Sequence, residues 1–241
     1  MKMLRAGFIA GAWRRLASVP RLISQVQGWP GLAADCMGMR RQPYRVRTKS
    51  GVGCELRPGT SDWWIFLEIF VFGIYRRVEA DIQKSRVIID IGANVGFFAL
   101  YASGLNPEVE IHALEPFPKN ADQLKSNLLL NGNLHIQVHP LAVSDKSGTA
   151  TLYFSPGDDS GCSLNQAKSQ QCSVPTVSLS DFFKMAGIAR CDLLKMDCEG
   201  SELAILSAMP TGEWPKIGNL IMEYHNPAEV DALKRILQQS G

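Results

Sequence analysis

Acidic residues and a histidine gather near the C-terminal part of the chain, each placed just after an apolar run. Asp197 and Glu199 follow one run, and Glu223 and His225 end the next. Both runs are typical of buried strands, whose carboxyl ends meet at one edge of a parallel sheet. A carboxylate or imidazole there can take the proton of a hydroxyl group, so Asp197, Glu199 and His225 are the candidate catalytic residues. Two alternatives stay open, since Asp197 could orient a cofactor and Glu199 could cap the helix that follows.

The same region raises the question of a metal. Asp197, Glu199 and Glu223 together offer the oxygen ligands that hard divalent cations prefer. The six cysteines and four histidines, however, lack zinc-type spacing, and the sequence therefore assigns no metal ligand. In a chain of this size, the cysteines are predicted to be free thiols in a reducing compartment.

A second group of residues forms a strand, a turn and a helix that suit a nucleoside-type cofactor. The segment 87–91 is rich in β-branched residues and predicts a strand buried on both faces. Gly92 and Gly96 bracket the turn, and a helix beginning at Phe97 points its free N–H groups toward it. The dinucleotide fingerprint is broken, because Asn94 and Phe97 occupy the positions of two of its glycines. This disfavours a nicotinamide oxidoreductase.

The next predicted strand ends at Glu115, 25 residues after Asp90. This spacing is close to the roughly 20 residues at which a βαβ unit places a carboxylate on a ribose hydroxyl. Alternatively, Glu115 caps the following helix, in whose first turn Pro118 is well placed. Ribose binding is the favoured interpretation. The predicted cofactor-binding residues are Asp90, Gly92, Ala93, Asn94, Gly96, Glu115, Ala142 and Asp197.

Five motifs in order give the chain a specific resemblance, which covers roughly residues 45–237. They are Val87–Gly96, Ala113–Phe117 with Asn127 and Asn131-Gly132, Ala142–Gly148, Leu193–Gly200 and Glu223-Tyr-His225. Together they resemble the FkbM-type methyltransferases that depend on S-adenosylmethionine (SAM). The resemblance implies a Rossmann-like class I methyltransferase fold, with SAM as the cofactor and Asp90 facing its positively charged methionine part. It also implies O-methylation of a hydroxyl on a sugar, glycan or polyketide-like small molecule.

The expected fold is therefore α/β, with a mostly parallel twisted sheet and helices on both faces. Members of this family usually add a closing strand pair after the last helix, and this sequence stops where that pair would begin. We therefore expect the C-terminal strand pair to be missing. The alternative function is a degenerate or truncated SAM-fold binding module without turnover.

Charge divides the chain at its N-terminal end. Residues 1–49 carry ten Lys/Arg and one acid, a net charge of +9, whereas residues 50–241 carry fifteen Lys/Arg and twenty-two acids, a net charge of −7. We predict a basic extension over residues 1–43 and a methyltransferase domain over residues 44–241. Leu4, Phe8, Ala12, Leu16 and Val19 recur at near-helical intervals in the extension. It is predicted to be a solvated arm, with contact to an anionic membrane surface as the alternative.

Composition and charge argue against two other classes, membrane-spanning and nucleic-acid-binding proteins. No run of 18 apolar residues occurs, so no membrane-spanning helix is predicted. The basic charge lacks interleaved aromatics or a nucleic-acid-binding signature, which argues against nucleic acid as a partner. A cytoplasmic location is expected, with peripheral membrane contact through the arm as the alternative to a solvated arm. The expected partner is a small hydroxylated acceptor.

Three accessory segments complete the prediction. Residues 44–58 alternate around Ser50–Gly53 and predict a β-hairpin, which with the next helix forms a unit over residues 44–80 that precedes the core. Thr60-Ser61-Asp62 is predicted to cap an aromatic helix from Trp63 to about Tyr75, packed in the core with one end near the substrate pocket. Residues 155–171 are polar and are predicted to be a lid or disordered.

Overall fold

The computed structural model describes residues 2–5, 20, 22–132, 135–155 and 158–239. The strands are β1 (Lys2–Arg5), β2 (Val26–Gln27), β3 (Tyr44–Thr48), β4 (Gly53–Leu56), β5 (Val87–Ile91), β6 (Glu110–Leu114), β7 (Ile136–His139), β8 (Ala142–Ser144), β9 (Gly148–Ser155), β10 (Asp158–Ser163), β11 (Gln170–Ser178), β12 (Cys191–Met196) and β13 (Ile217–Tyr224). The α-helices are α1 (Trp29–Cys36), α2 (Asp62–Phe66), α3 (Glu79–Lys84), α4 (Phe97–Leu105), α5 (Pro118–Leu129), α6 (Leu179–Met185), α7 (Glu202–Ser207) and α8 (Val230–Gln239).

A six-stranded sheet forms the centre of the molecule, in the order β1-β13-β12-β5-β6-β7. Every neighbouring pair in it is parallel. The predicted strand at 87–91 lies in the middle, where Ile88, Ile89 and Ile91 are at most 2% exposed. This burial on both faces explains the β-branched run. The predicted α/β fold with a mostly parallel sheet is confirmed.

An N-terminal strand covers part of the sheet edge beside β13. Within the described residues no strand follows β13, and the chain continues into α8. The place next to β13 is instead taken by β1, with Lys2 opposite Ile221 and Arg5 opposite Tyr224. The N-terminal segment therefore pairs with this side of β13 along its second half, residues 221–224.

The predicted hairpin is present as β3 and β4, which pair antiparallel. Its neighbours begin earlier than residue 44, because β2 pairs with β3 and Leu32 of α1 is 1% exposed. The Tyr44 hydroxyl also donates to Asp35 at 3.0 Å. Residues 26–36 thus pack with the hairpin, although we assigned them to the extension. The domain boundary itself stays a prediction, and the amphipathic part of the arm, residues 6–19, lies outside the described residues.

Side-chain amides of α5 and of the residues just after it hold the hairpin against the core. Asn131 accepts from the Gly53 N–H and donates to the Gly53 carbonyl, both at 2.8 Å. Asn127, which is fully buried, accepts from the Glu55 N–H at 2.8 Å and donates to the Val95 carbonyl at 2.9 Å. The hairpin is thereby tied to the turn that follows β5.

The aromatic helix differs from prediction in shape and in its start. After α2 it widens into a π-helix, Leu67–Phe72, which ends at Gly73 with φ 67°. Asp62 does not cap it, because this buried carboxylate is bound by the Arg57 guanidinium at 2.9 Å. The predicted core packing is confirmed, since Phe66 is fully buried and its ring meets that of Phe97 edge-on at 5.8 Å.

A second, four-stranded sheet in the order β10-β9-β11-β8 lies beside the carboxyl ends of the central strands. The described part of the segment expected to be a lid or disordered contains β10. Ser163 at its end donates to the Glu199 carbonyl at 2.7 Å, and Asn165 donates to the Gly200 carbonyl at 2.8 Å. These contacts place ordered chain beside the turn after β12. Among the described residues, no helix combines the length and the apolar character needed to cross a membrane.

Candidate active site

The turn after β5 is shaped by two close approaches that exclude side chains. Gly92 has φ 73°, and a Cβ added there would lie 1.8 Å from the carbonyl oxygen of Asp197. Gly96, at φ 85°, leaves 2.9 Å between an added Cβ and the side chain of Leu124. Glycine is therefore required because β12 and α5 pack directly on the turn. Between them Asn94 adopts φ 50°, a conformation that asparagine tolerates better than most residues.

Glu115 anchors this turn from the end of β6. Its side chain is 4% exposed, and its two carboxylate oxygens accept from the Asn94 N–H at 2.7 Å and the Phe117 N–H at 2.9 Å. Burial raises its pKa to about 7. Phe117 is the N-cap residue of α5 and Pro118 is its first residue, so Glu115 does hold the helix start as one of our alternatives proposed. Its remaining lone pairs face a cleft.

Asp90 forms a buried ion pair beside this turn. It is fully buried and does not line the cleft, because the Lys195 ammonium of the adjacent strand lies 3.0 Å from its carboxylate. Lys195 also donates to the Gly92 carbonyl at 2.8 Å and lies 4.0 Å from Asp197. Asp90 therefore belongs to a buried ion pair that also holds the turn through Lys195, and its predicted contact with the cofactor stays a prediction.

The candidate catalytic residues meet at the carboxyl ends of β12 and β13, as predicted. The Nε2 atom of His225 lies 3.6 Å from an Asp197 oxygen and 3.5 Å from a Glu199 oxygen. The other ring nitrogen, Nδ1, lies 2.9 Å from Oε1 of Glu202 in α7. Glu202 is 1% exposed and also accepts from the Cys198 and Gly200 N–H groups at 3.3 Å. One buried carboxylate thus fixes both the turn and the imidazole.

Electrostatics at this end reflect burial and crowding of acids. Burial raises the pKa of Glu199 and of Glu223 to about 7. Burial would lower the pKa of His225, but the hydrogen bond to Glu202 and the nearby carboxylates outweigh it and raise this pKa to about 9. Glu68, on the π-helix, also has its pKa raised to about 7, chiefly by burial.

These groups line one cleft of about 240 Å³. One end is formed by the glycine turn with Glu115, and the walls beyond it are apolar, with Pro116, Leu141 and Leu164 among them. The other end is acidic and contains Asp197, Glu199, Glu223 and Glu68. The cleft therefore joins a surface suited to a nucleoside with a set of proton acceptors.

Comparison with known proteins decides the family. The model of the methyltransferase FkbM domain matches residues 90–240. The chain belongs to the FkbM methyltransferase family. It is 28% identical over 194 residues to the 31-O-demethyl-FK506 methyltransferase FkbM of Streptomyces tacrolimicus, covering 68% of this chain and 74% of that protein. It is also 26% identical over 211 residues to the methyltransferase sdnD of Sordaria araneosa, covering 74% and 81% of the two chains.

Two further comparisons extend this result. The 2-O-methyltransferase NoeI of Sinorhizobium fredii is 28% identical over 153 residues, covering 56% of this chain and 62% of that protein. Among solved structures, a SAM-dependent methyltransferase from Agrobacterium tumefaciens superposes with a TM-score of 0.50 at 9% identity, covering 83% of this chain and 58% of that one. That likeness concerns the fold. The chain is a methyltransferase, in agreement with the predicted family.

The structure brings most of the predicted FkbM-family site residues together. Gly92, Ala93, Asn94, Glu115, Ala142, Asp197 and Glu199 line the cleft. Gly96 allows Leu124 of α5 to pack against the turn, and His225 lies beside Asp197 and Glu199 at the edge of the cleft. Sequence reasoning missed Glu202, although an acid in the first turn of a helix that follows a glycine turn is a recognisable signal. It also gave no role to Glu68, whose position depends on the π-helix.

Proposed function

We propose that this chain transfers a methyl group from SAM to a hydroxyl group of a small molecule such as a sugar, a glycan or a polyketide-like compound. One observation carries the proposal: a single cleft connects the Glu115 turn with the cluster of Asp197, Glu199 and His225. In a methyltransferase, this arrangement places a nucleoside site next to groups that can take a proton. SAM, when bound, supplies a methyl group already activated for transfer to the acceptor oxygen.

The residues at the turn fit such a donor. Glu115 is buried and ionisable at the cleft, and a carboxylate there is suited to a pair of ribose hydroxyls. The buried Oδ1 atom of Asn94 finds no hydrogen-bond partner among the described residues, which leaves an acceptor for a donor group of the ligand. The apolar walls at Pro116, Leu141 and Leu164 suit a flat base.

The acidic end is where the acceptor would bind. As its oxygen forms the new O–C bond, the methyl C–S bond breaks, its electron pair stays on sulfur, and the acceptor hydroxyl loses its proton. Asp197, Glu199 and His225 are the groups within reach of that proton. Asp197 or Glu199 can hold it at a carboxylate oxygen until it is released to water, whereas His225, whose pKa is raised to about 9, must lose its own proton before Nε2 can take another. Their main further task is to align the acceptor oxygen.

The charge at the acidic end of the cleft restricts the kinds of acceptor that can bind there. Four acids, Glu68, Asp197, Glu199 and Glu223, face the cleft, and their negative charge disfavours an anionic ligand. This effect grows as pH rises through about 7, the pKa of three of them. An uncharged acceptor with several hydroxyls is therefore preferred over a phosphorylated or carboxylated one. Relatives named for methylation at oxygen, the 31-O-demethyl-FK506 enzyme and the 2-O-methyltransferase NoeI, support the choice of a hydroxyl.

The test is calorimetric binding of S-adenosylhomocysteine, with NAD as the negative control. We expect saturable binding of the first, no binding of the second, and at least tenfold weaker binding in Glu115→Gln. Glu108→Gln removes an exposed carboxylate from the loop before β6 and should bind as the parent does. If Glu115→Gln binds S-adenosylhomocysteine as tightly as the parent does, the assigned donor site is refuted.

A panel of neutral and anionic sugar and polyketide-like alcohols, assayed with labelled SAM, tests the acceptor half of the proposal. Label should pass to neutral hydroxyl compounds in preference to their uronic acid or phosphate counterparts. S-adenosylhomocysteine binding without transfer to any alcohol would instead favour the binding module without turnover.

A further inference from the structure

We infer that Asp197, Glu199 and His225 form a site for a divalent first-row transition-metal cation such as Mn²⁺ or Zn²⁺, with Glu202 orienting the imidazole. The ligand atoms of the first three residues all lie within 4.8 Å of one another. They come from the ends of two adjacent parallel strands, so rigid parts of the fold set their separation. The inference rests on the proposed function, because it places the cation at the acceptor end of the same cleft.

The hydrogen bond from His225 to Glu202 determines which ring nitrogen is available. The Oε1 atom of Glu202 that faces Nδ1 also accepts from the N–H groups of Cys198 and Gly200, as a carboxylate oxygen does. A carboxylate only accepts, and therefore Nδ1 must carry the hydrogen. The lone pair of a neutral ring then lies on Nε2, toward Asp197 and Glu199. A carboxylate that binds the distal nitrogen of a ligating histidine is the usual outer partner of a metal site.

The two distances from Nε2 exceed hydrogen-bonding lengths and come close to the spacing of ligands around one ion. Nε2 lies 3.6 Å from the Asp197 oxygen and 3.5 Å from the Glu199 oxygen, beyond the usual N–H···O range of about 2.7–3.2 Å. Ligand atoms each about 2.1 Å from one cation, at angles between octahedral and tetrahedral, are about 3.0–3.4 Å apart. The three side chains are 15–31% exposed, so solvent and acceptor can reach the remaining coordination positions.

The donor set selects the class of cation. One imidazole nitrogen with two carboxylate oxygens suits Mn²⁺ or Zn²⁺, whereas Ca²⁺ takes six to eight oxygens in a wider shell. A cation held here would bind the acceptor hydroxyl and lower its pKa, so that the proton leaves to water before or during methyl transfer. His225 would then serve as a ligand, and the acid–base task would fall to the metal-bound oxygen and the carboxylates.

Metal binding can be measured without any acceptor. The full chain, treated with EDTA and desalted, is titrated with Mn²⁺ while the electron paramagnetic resonance signal of free Mn²⁺ is followed. We expect one saturable site per chain, displaced by Zn²⁺ and not by equimolar Ca²⁺. Glu199→Gln and His225→Gln should weaken Mn²⁺ binding at least tenfold, and Glu202→Gln by about 10–100-fold. Asp231→Asn, which removes an exposed carboxylate on α8, should stay within twofold.

Calorimetry with S-adenosylhomocysteine on the same samples separates the possible failures. Variants that retain its binding are folded, and their loss of Mn²⁺ is then a loss of ligands. A parent chain that binds S-adenosylhomocysteine but has no saturable Mn²⁺ site would overturn the metal inference and leave the proposed function intact. The metal inference would also be overturned if Glu199→Gln and His225→Gln bind Mn²⁺ as tightly as Asp231→Asn does. Mn²⁺ binding without S-adenosylhomocysteine binding would support the metal site and refute the donor assignment.

Discussion

Replacing Lys195 by methionine should destabilise the protein strongly. Lys195 is 4% exposed and Asp90 is fully buried, with 3.0 Å between ammonium and carboxylate. Removing one member of such a pair leaves a buried charge without compensation, at a cost of about 3–5 kcal/mol. For a domain of this size, each kcal/mol lowers the melting temperature by about 2–4 °C. The midpoint should therefore fall by roughly 6–20 °C in a calorimetric scan.

The pH dependence of this loss identifies its cause. Burial already raises the pKa of Asp90, and Lys195 opposes that rise, so the variant should raise it further. A carboxyl group whose folded pKa exceeds its unfolded value favours the folded state below the unfolded pKa and loses this contribution as pH rises. The stability difference between parent and Lys195→Met should therefore narrow as pH falls from 7 toward 4.

Two further variants check this reasoning. Lys125→Met removes an exposed ammonium that lies 3.2 Å from Asp122, and its midpoint should barely move, because exposed pairs contribute at most about 1 kcal/mol. Adding Asp90→Asn to Lys195→Met should recover part of the loss. A Lys195→Met midpoint that stays within 2–4 °C of the parent, or a difference that does not depend on pH, would refute the account of a buried ion pair.

Two other perturbations test the turn and the histidine pair. Gly92→Ala should abolish or severely weaken cooperative unfolding in urea, because its Cβ would collide with the Asp197 carbonyl. Gly187→Ala, at φ 67° with open space around it, should cost only about 1–2 kcal/mol of the free energy of unfolding. If both variants lose the same free energy of unfolding, the steric argument is contradicted. Burial lowers the pKa of both His112 and His139, so at these two groups the unfolded chain takes up protons first, and their contribution to stability falls as pH drops below about 6.5. The buried glutamates with raised pKa values contribute in the opposite direction, so the measurement is the difference between two urea midpoints: His139→Gln should gain stability relative to the parent as pH falls, and an unchanged difference would exclude this pair as a source.

Local signals in the sequence predicted the parts of the site that depend on short segments. The strand before Gly92, the carboxylate at Glu115 and the placement of Asp197 and His225 at one edge follow from apolar runs and the turns that end them. Each needs only the rule that parallel strands present their carboxyl ends together. These are also the positions at which the FkbM family is recognised.

Other features depended on contacts that no short segment encodes. The partner of Asp90 is Lys195, directly opposite on the neighbouring strand but 105 residues away in sequence, so its identity depends on sheet order and register. Glu68 reaches the cleft through a π-helix, which helical periodicity does not distinguish from an ordinary turn. The covering of β13 by β1 likewise joins the two ends of the chain.

The side-chain amides that hold the hairpin also pair the backbone groups at the outer edge of β4. Along β4, Gln123 donates to the Glu55 carbonyl at 3.2 Å, and Asn127 and Asn131 take up the neighbouring backbone groups. The three residues are spaced four apart, and their side chains make hydrogen bonds to the β4 backbone that a neighbouring strand would otherwise make. An open strand edge is a template for pairing with other molecules. Loss of the Gln123 and Asn131 amides, with Asn127 kept on the turn after β5, would therefore show itself first as self-association of a molecule whose cleft is still intact.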